Sequence, residues 1–483
     1  GTISNISLYG SLTVNVAINL QLFSRNDLNI QDGGSFILNG SFSGEGLINY
    51  YRPATPNKWF LMCSPFADNS IYEYLREHNT VTSSGTNHAY APYNNSYTGV
   101  SDVWDYIQTS EIPTSFPPNF NPPHILDQVK GYGNSIASGS SVRFIGTPEE
   151  TDISISINTG SADSYNLVGN PYPSYLDANA LLNTNASILE EKTLWTWDEN
   201  TETYRAYNLV NGYKIPPTTG FFVRSTANGG TFNALETMQT HDRANITTTP
   251  QVELSVTDGT STKKANVYYS NSGTTGLDNG YDSSIFEGSR PYFPENLGAE
   301  SLNLYTALVS DQVSEKLMIQ TLPNSNHETM IIPIGVEATS GTTLTFNTTS
   351  FTFTTTVFLE DREQGTFHLL SDGSSYEVTL SETLTGLGRF YLRTNFTQGE
   401  LTNTWLGESI DWNSSSNWDL SFVPIETVNV IIPKNPLYGI RYPVINGDIS
   451  ANRIELNSGA NLTVNGSIIN NDTIVINSGA SLI

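Results

Sequence analysis

The two ends of the chain carry the same sequence pattern. Residues 28–42 read LNIQDGGSFILNGSF and residues 454–468 read IELNSGANLTVNGSI, so the two segments align without a gap, 426 positions apart (454 − 28). A further copy, IVINSGASLI, begins at Ile474, 20 residues after Ile454 (474 − 454). In every copy, apolar residues alternate with polar ones on both sides of a turn that contains glycine, which is typical of short β-strands.

One such segment cannot bury its apolar side alone, but segments stacked at a regular period cover each other. The pattern therefore predicts a β-solenoid, or β-helix, over residues 1–52 and again within residues 401–483; two unrelated hairpins are the alternative. Because the chain begins and ends inside the pattern, we expect open edges that pair head to tail with further copies. The expected edge residues are Leu12, Val14, Leu462, Val464, Ile474 and Ile476.

A second duplication occupies the middle of the chain. WFLMCSPF at 59–66 resembles YNLVGNPY at 165–172, and the segment around Trp104 resembles that around Trp195. Short aromatic-rich runs between Pro, Gly and Asn turns predict β-sandwich or jelly-roll units, so the fold class is all-β. Short helices are expected only near 71–77 and 176–182, the second with Ser174 as its N-cap. The expected divisions are 1–52 (solenoid), 53–150 and 151–246 (duplicated sandwiches), 247–400 (a third sandwich) and 401–483 (a tryptophan-rich lead-in and solenoid).

Composition excludes several classes of protein. With 25 Tyr, 21 Phe and 7 Trp, the chain is too aromatic to be disordered. Lys and Arg (21) are outnumbered by Asp and Glu (47), and the resulting formal charge of −26 opposes binding to nucleic acids. No apolar run reaches the roughly 18 residues of a membrane span. The single cysteine, Cys63, excludes an intrachain disulfide, and its apolar strand predicts a buried, inert thiol.

The sequence contains no recognisable catalytic motif. The nucleophile elbow, the P-loop and the dinucleotide-binding fingerprint are all missing, and no two of the six histidines have the spacing of a metal pair. We therefore expect a protein that is not an enzyme. A secreted polysaccharide hydrolase, which needs two carboxylates across a cleft, stays open as the alternative because no spacing singles out such a pair.

Two kinds of ligand site are candidates. Asp278, Asn279 and Asp282 surround Gly280 and offer the oxygen ligands that Ca²⁺ prefers, although an Asx-type turn explains the same residues. Aromatic side chains in Asn/Tyr-rich loops can stack on sugars, and packing between loops is the alternative. The glycan-binding candidates are Tyr93, Tyr97, Tyr204 and Tyr207. A calcium-dependent carbohydrate-binding module is therefore another alternative function.

Several segments resemble large cell-surface and secreted proteins of the Bacteroidetes. They are NLVGNPYP at 166–173, PPTTGFFV at 216–223 and GRFYLR at 388–393. The stretch from Trp405 to Pro443, with Asp411-Trp412, Asn417-Trp418, Val423-Pro424 and Ile432-Pro433, is similar to a module that often precedes β-solenoid repeats in that group. The resemblance implies export by the type IX secretion system and an adhesin-like or gliding-associated role, and no particular activity. It also implies O-glycosylation at Thr473, within Asp472-Thr473-Ile474.

The sequence thus favours an extracellular structural or adhesive unit on a bacterial surface. The low lysine content and the Asn, Thr and Ser richness agree with that location. The expected partners are copies of the chain or adjacent repeats of a longer polypeptide, and surface glycans, with calcium as the candidate cofactor. No nucleic acid and no insertion into a membrane is expected.

Overall fold

The computed structural model describes most of the chain, namely residues 6–15, 19–22, 27–66, 80–97, 103–112, 127–148, 151–243, 249–291, 302–310, 315–325, 330–351, 357–370, 375–394 and 399–483. The chain divides into two compact units: unit 1 is Gly1–Thr248 with Asn279–Ala299, and unit 2 is Thr249–Asp278 with Glu300–Ile483. The predicted all-β class and the predicted β-solenoid are confirmed. The helix expected near 71–77 lies outside the described residues.

Unit 1 begins with stacked parallel coils, each built from three short strands. The ladders run β1-β4-β7, β2-β5 and β3-β6, and every one of these pairings is parallel. The turn after β4 contains Gly33 with φ of 68°, a conformation that favours glycine. These strands are β1 (Ile6–Leu8), β2 (Ser11–Val14), β3 (Asn19–Leu22), β4 (Leu28–Ile30), β5 (Ser35–Leu38), β6 (Ser41–Gly44) and β7 (Ile48–Pro53).

The two copies of the middle duplication, expected at residues 53–150 (copy one) and 151–246 (copy two), follow in the same unit. Their strands are β8 (Trp59–Met62), β9 (Ser83–Ser84), β10 (Asn87–His88), β11 (Tyr90–Pro92), β12 (Ile107–Gln108), β13 (Tyr132–Ser135), β14 (Ser141–Gly146), β15 (Ile153–Ile157), β16 (Tyr165–Gly169), β17 (Tyr175–Asp177), β18 (Leu194–Asp198), β19 (Thr203–Tyr207), β20 (Lys214–Ile215), β21 (Gly220–Arg224), β22 (Gly230–Ala234) and β23 (Gln239–Thr240). Helix α1 spans Ala178–Thr184, and 3₁₀ turns span Thr109–Glu111 and Glu236–Met238.

The duplication read from the sequence recurs in the strand register. Met62 of β8 pairs with Tyr132 of β13, and Val168 of β16 pairs with Phe221 of β21 in the same antiparallel arrangement. The pairing of β7 with β14 likewise matches that of β15 with β22. Strand β7 is therefore both the last solenoid strand and the first strand of copy one, so it crosses the division expected at residue 52.

The two copies contact each other through equivalent backbone atoms. The N–H of Cys63 donates to Thr218 O at 3.0 Å, and the N–H of the equivalent Gly169 donates to Val129 O at 2.7 Å. Val129 and Thr218 have φ of 66° and 62°, which β-branched residues rarely adopt. The same strained conformation at two matching positions indicates local pseudo-twofold symmetry between the copies.

Helix α1 begins later than the sequence predicts. Its N-cap is Asp177, whose carboxylate accepts the Ala180 N–H at 3.0 Å. Ser174 is fully buried before strand β17, and its hydroxyl donates to Gln239 Oε1 at 2.8 Å. The prediction of Ser174 as the cap was wrong because Tyr175–Asp177 first pairs as a strand with β20 and β23.

Unit 2 contains one large mixed sheet. Its strand order is β32-β31-β34-β29-β27-β28-β25-β24-β30-β33. One side of it buries a core that includes Val252, Leu304, Ile332, Leu344 and Phe390. The strands in this order are β24 (Gln251–Thr257), β25 (Thr262–Ser270), β27 (Asn303–Thr306), β28 (Leu317–Pro323), β29 (Ile331–Ala338), β30 (Thr343–Phe351), β31 (Phe358–Asp361), β32 (Thr366–Leu369), β33 (Ser375–Thr379) and β34 (Leu384–Arg393). The short strand β26 (Ser283–Ser284) belongs to unit 1.

Unit 2 ends in a second set of parallel coils. The ladders are β35-β36-β39-β42, β37-β40-β43 and β38-β41. Trp405, Trp412 and Trp418 are buried in one cluster with apolar residues of the coils. The strands are β35 (Thr402–Thr404), β36 (Asn429–Ile432), β37 (Val444–Ile445), β38 (Ile449–Ala451), β39 (Ile454–Leu456), β40 (Asn461–Val464), β41 (Ile468–Asn470), β42 (Ile474–Ile476) and β43 (Ser481–Leu482), with a 3₁₀ turn at Ser415–Asn417.

Within the described residues, no helix has the length and the apolar character that a bilayer span requires.

Candidate functional site: the edges of the coils

The inward-facing apolar side chains of the C-terminal coils, called the apolar column, become exposed to solvent at the outermost coil. In β36 and β39 the inward-facing residues are at most 1% exposed, as in Ile432 and Ile454. The matching residues of β42 differ: Ile474 is half-buried and Ile476 is 48% exposed. Leu462 is fully buried, whereas its partner Leu482 in β43 is 40% exposed. The exposure arises because nothing in the described part of unit 2 stacks on this last coil.

The N-terminal coils show the same gradient in the opposite direction. Ile48 and Leu28 are 0% and 1% exposed, whereas Ile6, which pairs with Leu28, is 42% exposed. In the described part of unit 1, strand β1 has β4 as its ladder partner and no strand on its other side. The open edge of unit 1 is thus the N-terminal side of a parallel coil, whereas that of unit 2 is the C-terminal side.

Side-chain amides add a second repeat along the coils. Asn49 Nδ2 donates to Asn29 Oδ1 at 3.0 Å, and Asn452 Nδ2 donates to Asn429 Oδ1 at 2.8 Å. Asn465 Nδ2 donates to Asn446 Oδ1 at 2.9 Å. Such amide ladders couple neighbouring parallel strands and fix their register.

Four of the six predicted edge residues lie in the outermost coils. Leu12 is half-buried and Val14 is 6% exposed in β2, whereas Ile474 and Ile476 lie in β42. Leu462 and Val464 lie one coil further in, where Leu462 pairs with Leu482 and the Val464 N–H donates to Ile483 O at 2.8 Å. The sequence prediction missed Ile6 and Leu482, although the 20-residue period points from Leu462 to Leu482.

Both edges carry little charge. Residues 6–22 contain no Asp, Glu, Lys or Arg, and residues 454–482 contain Glu455 and Asp472. Glu455 is engaged in the coil: its carboxylate pairs with Arg453 at 3.1 Å and accepts Asn477 Nδ2 at 3.1 Å. The net charge of −26 is therefore carried mostly outside these two edges.

The tyrosines predicted to bind glycans lie in different surroundings. Tyr93 donates to Asp163 Oδ2 at 2.5 Å and packs edge-on against Phe222, with ring centroids 4.8 Å apart. Burial, followed by the adjacent Asp163 carboxylate, raises the pKa of Tyr93. Tyr97 is 39% exposed.

Tyr204 and Tyr207 both make ring contacts within unit 1. Tyr204 lies 3.9 Å from Phe286 between ring centroids, and Tyr207 stacks on Tyr213 at 3.8 Å. These contacts match the packing alternative, and Tyr97 is the candidate whose ring is most accessible to a sugar.

The predicted calcium residues belong to two units and have protein partners. In unit 2, Asp278 Oδ2 accepts the Thr274 N–H at 2.6 Å. In unit 1, Asn279 Oδ1 accepts the Lys192 N–H at 2.9 Å, and Asp282 is 2% exposed. No group of three or more His, Cys, Asp or Glu side chains forms a metal cluster within the described ranges. A calcium site stays a prediction.

The described histidines bond to hydroxyl groups. His88 contacts Ser83 Oγ at 2.9 Å, His241 contacts Thr13 Oγ1 at 2.7 Å, and His368 contacts Thr366 Oγ1 at 2.8 Å. His78, His124 and His327 lie outside the described residues. Cys63 is buried as expected, and burial raises the pKa of its thiol to about 12.

A buried ion-pair network lies on the large sheet of unit 2. Arg389 donates from Nε and Nη2 to the fully buried carboxylate of Asp361 at 3.1 and 2.8 Å, and from Nη1 to Glu363 at 2.5 Å. Tyr376 OH also donates to Asp361, at 2.9 Å. The carboxylate is thus fully used by its neighbours, as in a structural network.

Thr473, the predicted glycosylation site, is exposed in the turn that leads into β42. Its carbonyl accepts the Ile454 N–H at 3.1 Å. Its side chain is accessible to a modifying enzyme, and the modification itself stays a prediction.

Comparison with known proteins gives one partial match. A family described as a domain of unknown function (DUF8693) matches residues 2–214, which hold the N-terminal coils and most of the two middle copies. No curated protein and no solved structure matches the chain.

Proposed function

We propose that this chain is an extracellular structural or adhesive repeat unit that stacks head to tail through its coil edges. The observation that carries the proposal is the loss of cover on the apolar column, from 0% exposure at Leu456 to 48% at Ile476. A second coil placed on β42 and β43 would bury these side chains, and burial of apolar surface is the main driving force for association.

The register of such a stack follows from the internal repeat. Ile6, Leu28 and Ile48 lie in one ladder of the N-terminal coils, and Ile454 and Ile474 lie in the matching ladder of the C-terminal coils. If the first coil of the next copy stacks on β42, its Ile6 would therefore meet Ile474. By the same alignment, Leu482 would meet Leu12. The two edges are different surfaces on opposite sides of a parallel coil. A contact between them is heterologous, so it builds a ring or an open filament rather than a twofold dimer.

The remaining modules have supporting roles in this proposal. The sheets of residues 53–400 act as β-sandwich decorations between terminal solenoid segments, and the array stands on a bacterial surface as a chain of covalent or non-covalent repeats. Tyr97 is the accessible ring for a surface glycan, and calcium at Asp278, Asn279 and Asp282 would rigidify a loop. The protein acts by presenting surface and not by turnover.

The stack is tested with an edge substitution and a matched control. Ile476→Lys places a charge on the open column, whereas Ile440→Lys changes a side chain that is 73% exposed outside any strand. Sedimentation velocity and electron microscopy of the purified chain should show filaments or oligomers for the wild type and for Ile440→Lys, and monomers for Ile476→Lys. A wild-type chain that stays monomeric at every accessible concentration contradicts the proposal.

A further inference from the structure

An aromatic groove in unit 1 is filled by a segment that lies, in the order of the sequence, between the two parts of unit 2. The segment, residues 279–290, is called the strap; it belongs to unit 1, whereas Thr249–Asp278 and Glu300–Ile483 belong to unit 2. The groove takes rings from both middle copies, and Trp195 and Phe222 are fully buried in it. Its lining rings are Tyr93, Trp104, Tyr165, Trp195, Tyr204 and Phe222.

The groove holds the strap mainly by its main chain. Trp195 Nε1 donates to Ser284 O at 3.1 Å, Tyr204 OH donates to Ser289 O at 3.1 Å, and Trp104 Nε1 donates to Arg290 O at 2.9 Å. The Glu287 N–H donates to Tyr165 OH at 3.2 Å. Bonds from fixed side chains to main-chain atoms of an extended segment are a mode by which proteins recognise peptides.

One side chain of the strap acts as an anchor. The ring of Phe286 lies among four groove rings, with centroid distances of 3.9 Å to Tyr204, 4.5 Å to Tyr165, 4.8 Å to Phe222 and 5.9 Å to Trp195. A single aromatic anchor in a pocket, surrounded by main-chain hydrogen bonds, is the usual energetic centre of a peptide interface.

The first half of the strap is held in the same way. Asn208 Nδ2 donates to Tyr281 O at 2.8 Å, and the Leu209 N–H donates to Gly280 O at 2.9 Å. The Ser284 N–H donates to Glu191 Oε2 at 3.0 Å. Glu191, Asn208 and Leu209 therefore hold the strap backbone at Gly280, Tyr281 and Ser284.

We propose that the aromatic groove is a receptor for an extended peptide with an aromatic anchor, and that its second occupant is the strap of another copy of this chain. None of the contacts above depends on the covalent link between strap and groove. Exchange of an identical segment between copies keeps every contact and costs little, as in domain swapping. This inference concerns a different surface from the coil edges and does not rest on the proposed stacking.

A synthetic peptide tests the groove directly. A fluorescently labelled peptide with the sequence of residues 279–291, NGYDSSIFEGSRP, is titrated into the full chain carrying Phe286→Ala, in which the chain's own strap is weakened. Fluorescence anisotropy should show saturable binding, at least about tenfold tighter than to the wild-type chain, whose strap competes. A peptide with alanine in place of Phe286 should bind at least about tenfold more weakly.

Ile476→Lys is included in every protein, so that coil stacking does not contribute to the signal. Circular dichroism checks the fold, and Phe286→Leu replaces Phe286→Ala if the alanine variant is unfolded. No saturable binding to a folded variant, or equal affinity of the alanine peptide, overturns the proposal. Because the readout is peptide binding to monomers, failure of the coil-edge proposal would leave this result unchanged.

Discussion

At the scale of single residues, the contact between the two middle copies depends on Gly169. A Cβ at this position would lie 2.2 Å from Cys63 Cβ and 3.0 Å from its Sγ, because the two equivalent residues face each other across the pseudo-twofold relation. Only one of the two equivalent positions can therefore carry a side chain. The side chain of Cys63 fills the space next to Gly169, where a second side chain would not fit.

Gly169→Ala should destabilise unit 1 by about 1–3 kcal/mol, the usual cost of overpacking a buried site. The double variant Cys63→Gly/Gly169→Ala should recover part of that loss, since the side chain moves to the other copy. Gly447→Ala is the matched control, because a Cβ there has nothing within 4 Å. Urea unfolding measures all three, and additive effects of the two substitutions would contradict this account.

His368 makes stability depend on pH in unit 2. It stacks on Tyr376 with ring centroids 3.6 Å apart, and burial lowers the pKa of its imidazole from 6.5 to about 4. The unfolded chain therefore binds more protons at this site between those two values, so the free energy of unfolding falls as pH drops from 6.5 to about 4. Below pH 4 the site contributes no further change.

His368→Gln should reduce the slope of the free energy of unfolding against pH within that window and leave the slope unchanged between pH 7 and 8. Urea unfolding at a series of pH values, followed for wild type and variant in parallel, measures the difference. His88→Gln is the comparison in unit 1, where burial also lowers the pKa of the imidazole, so the slope for that unit should change in the same direction. Identical slopes for wild type and His368→Gln would contradict the claim that buried His368 makes the free energy of unfolding depend on pH.

At the scale of elements, a coil is stabilised by the coils on its two sides. Ile454 has neighbours in β36 and β42, whereas Ile474 has a neighbour on one side only in the described part of unit 2. The same side chain in the same strand position thus experiences different burial. Stability should therefore decrease along the column toward the edge, where fraying begins.

Ile454→Ala should cost about 2–5 kcal/mol, because it leaves a cavity in a fully buried column. Ile476→Ala should cost less than about 1 kcal/mol in the monomer, since its side chain is already 48% exposed. Thermal unfolding of dilute samples compares the two variants. In concentrated samples that form filaments, Ile476→Ala should become more destabilising, and an unchanged cost there would argue against stacking at β42.

At the scale of the whole molecule, the distribution of charge decides how copies can meet. The formal charge of −26 repels copies at long range, yet residues 6–22 contain no charged side chain. Association through the edges would be driven by apolar burial and backbone pairing. Salt should therefore strengthen it by screening the long-range repulsion.

Raising the ionic strength from about 0.05 to about 1 M should increase filament length or leave it unchanged, because the Debye length falls to about 3 Å. Light scattering and negative-stain electron microscopy follow the effect, with a chelator added in a parallel series. Dissociation by salt alone would indicate that charge pairs hold the copies together. Loss of assembly in the chelator would assign that role to bridging cations.

The local alternation of apolar and polar residues predicted the β-strands of the coils and those of the middle duplication. The gapless match between 28–42 and 454–468 located both sets of coils, and the glycine at 33 and 459 marked the same turn, with φ of 68° and 82°. The resemblance of 59–66 to 165–172 predicted the duplicated strands. In both cases the pattern is local, because it follows from which face of a strand is buried.

The tertiary structure alone decided how distant segments meet. The sequence determined that the chain is all-β and that it contains β-solenoid coils. Only the fold decided that strap residues 279–290 fill an aromatic groove, that β7 serves both a coil and a repeat, and that Leu462 is covered whereas Leu482 is open. The reason is physical: alternation records that a side chain is buried, but which partner buries it depends on contacts between residues far apart in the chain.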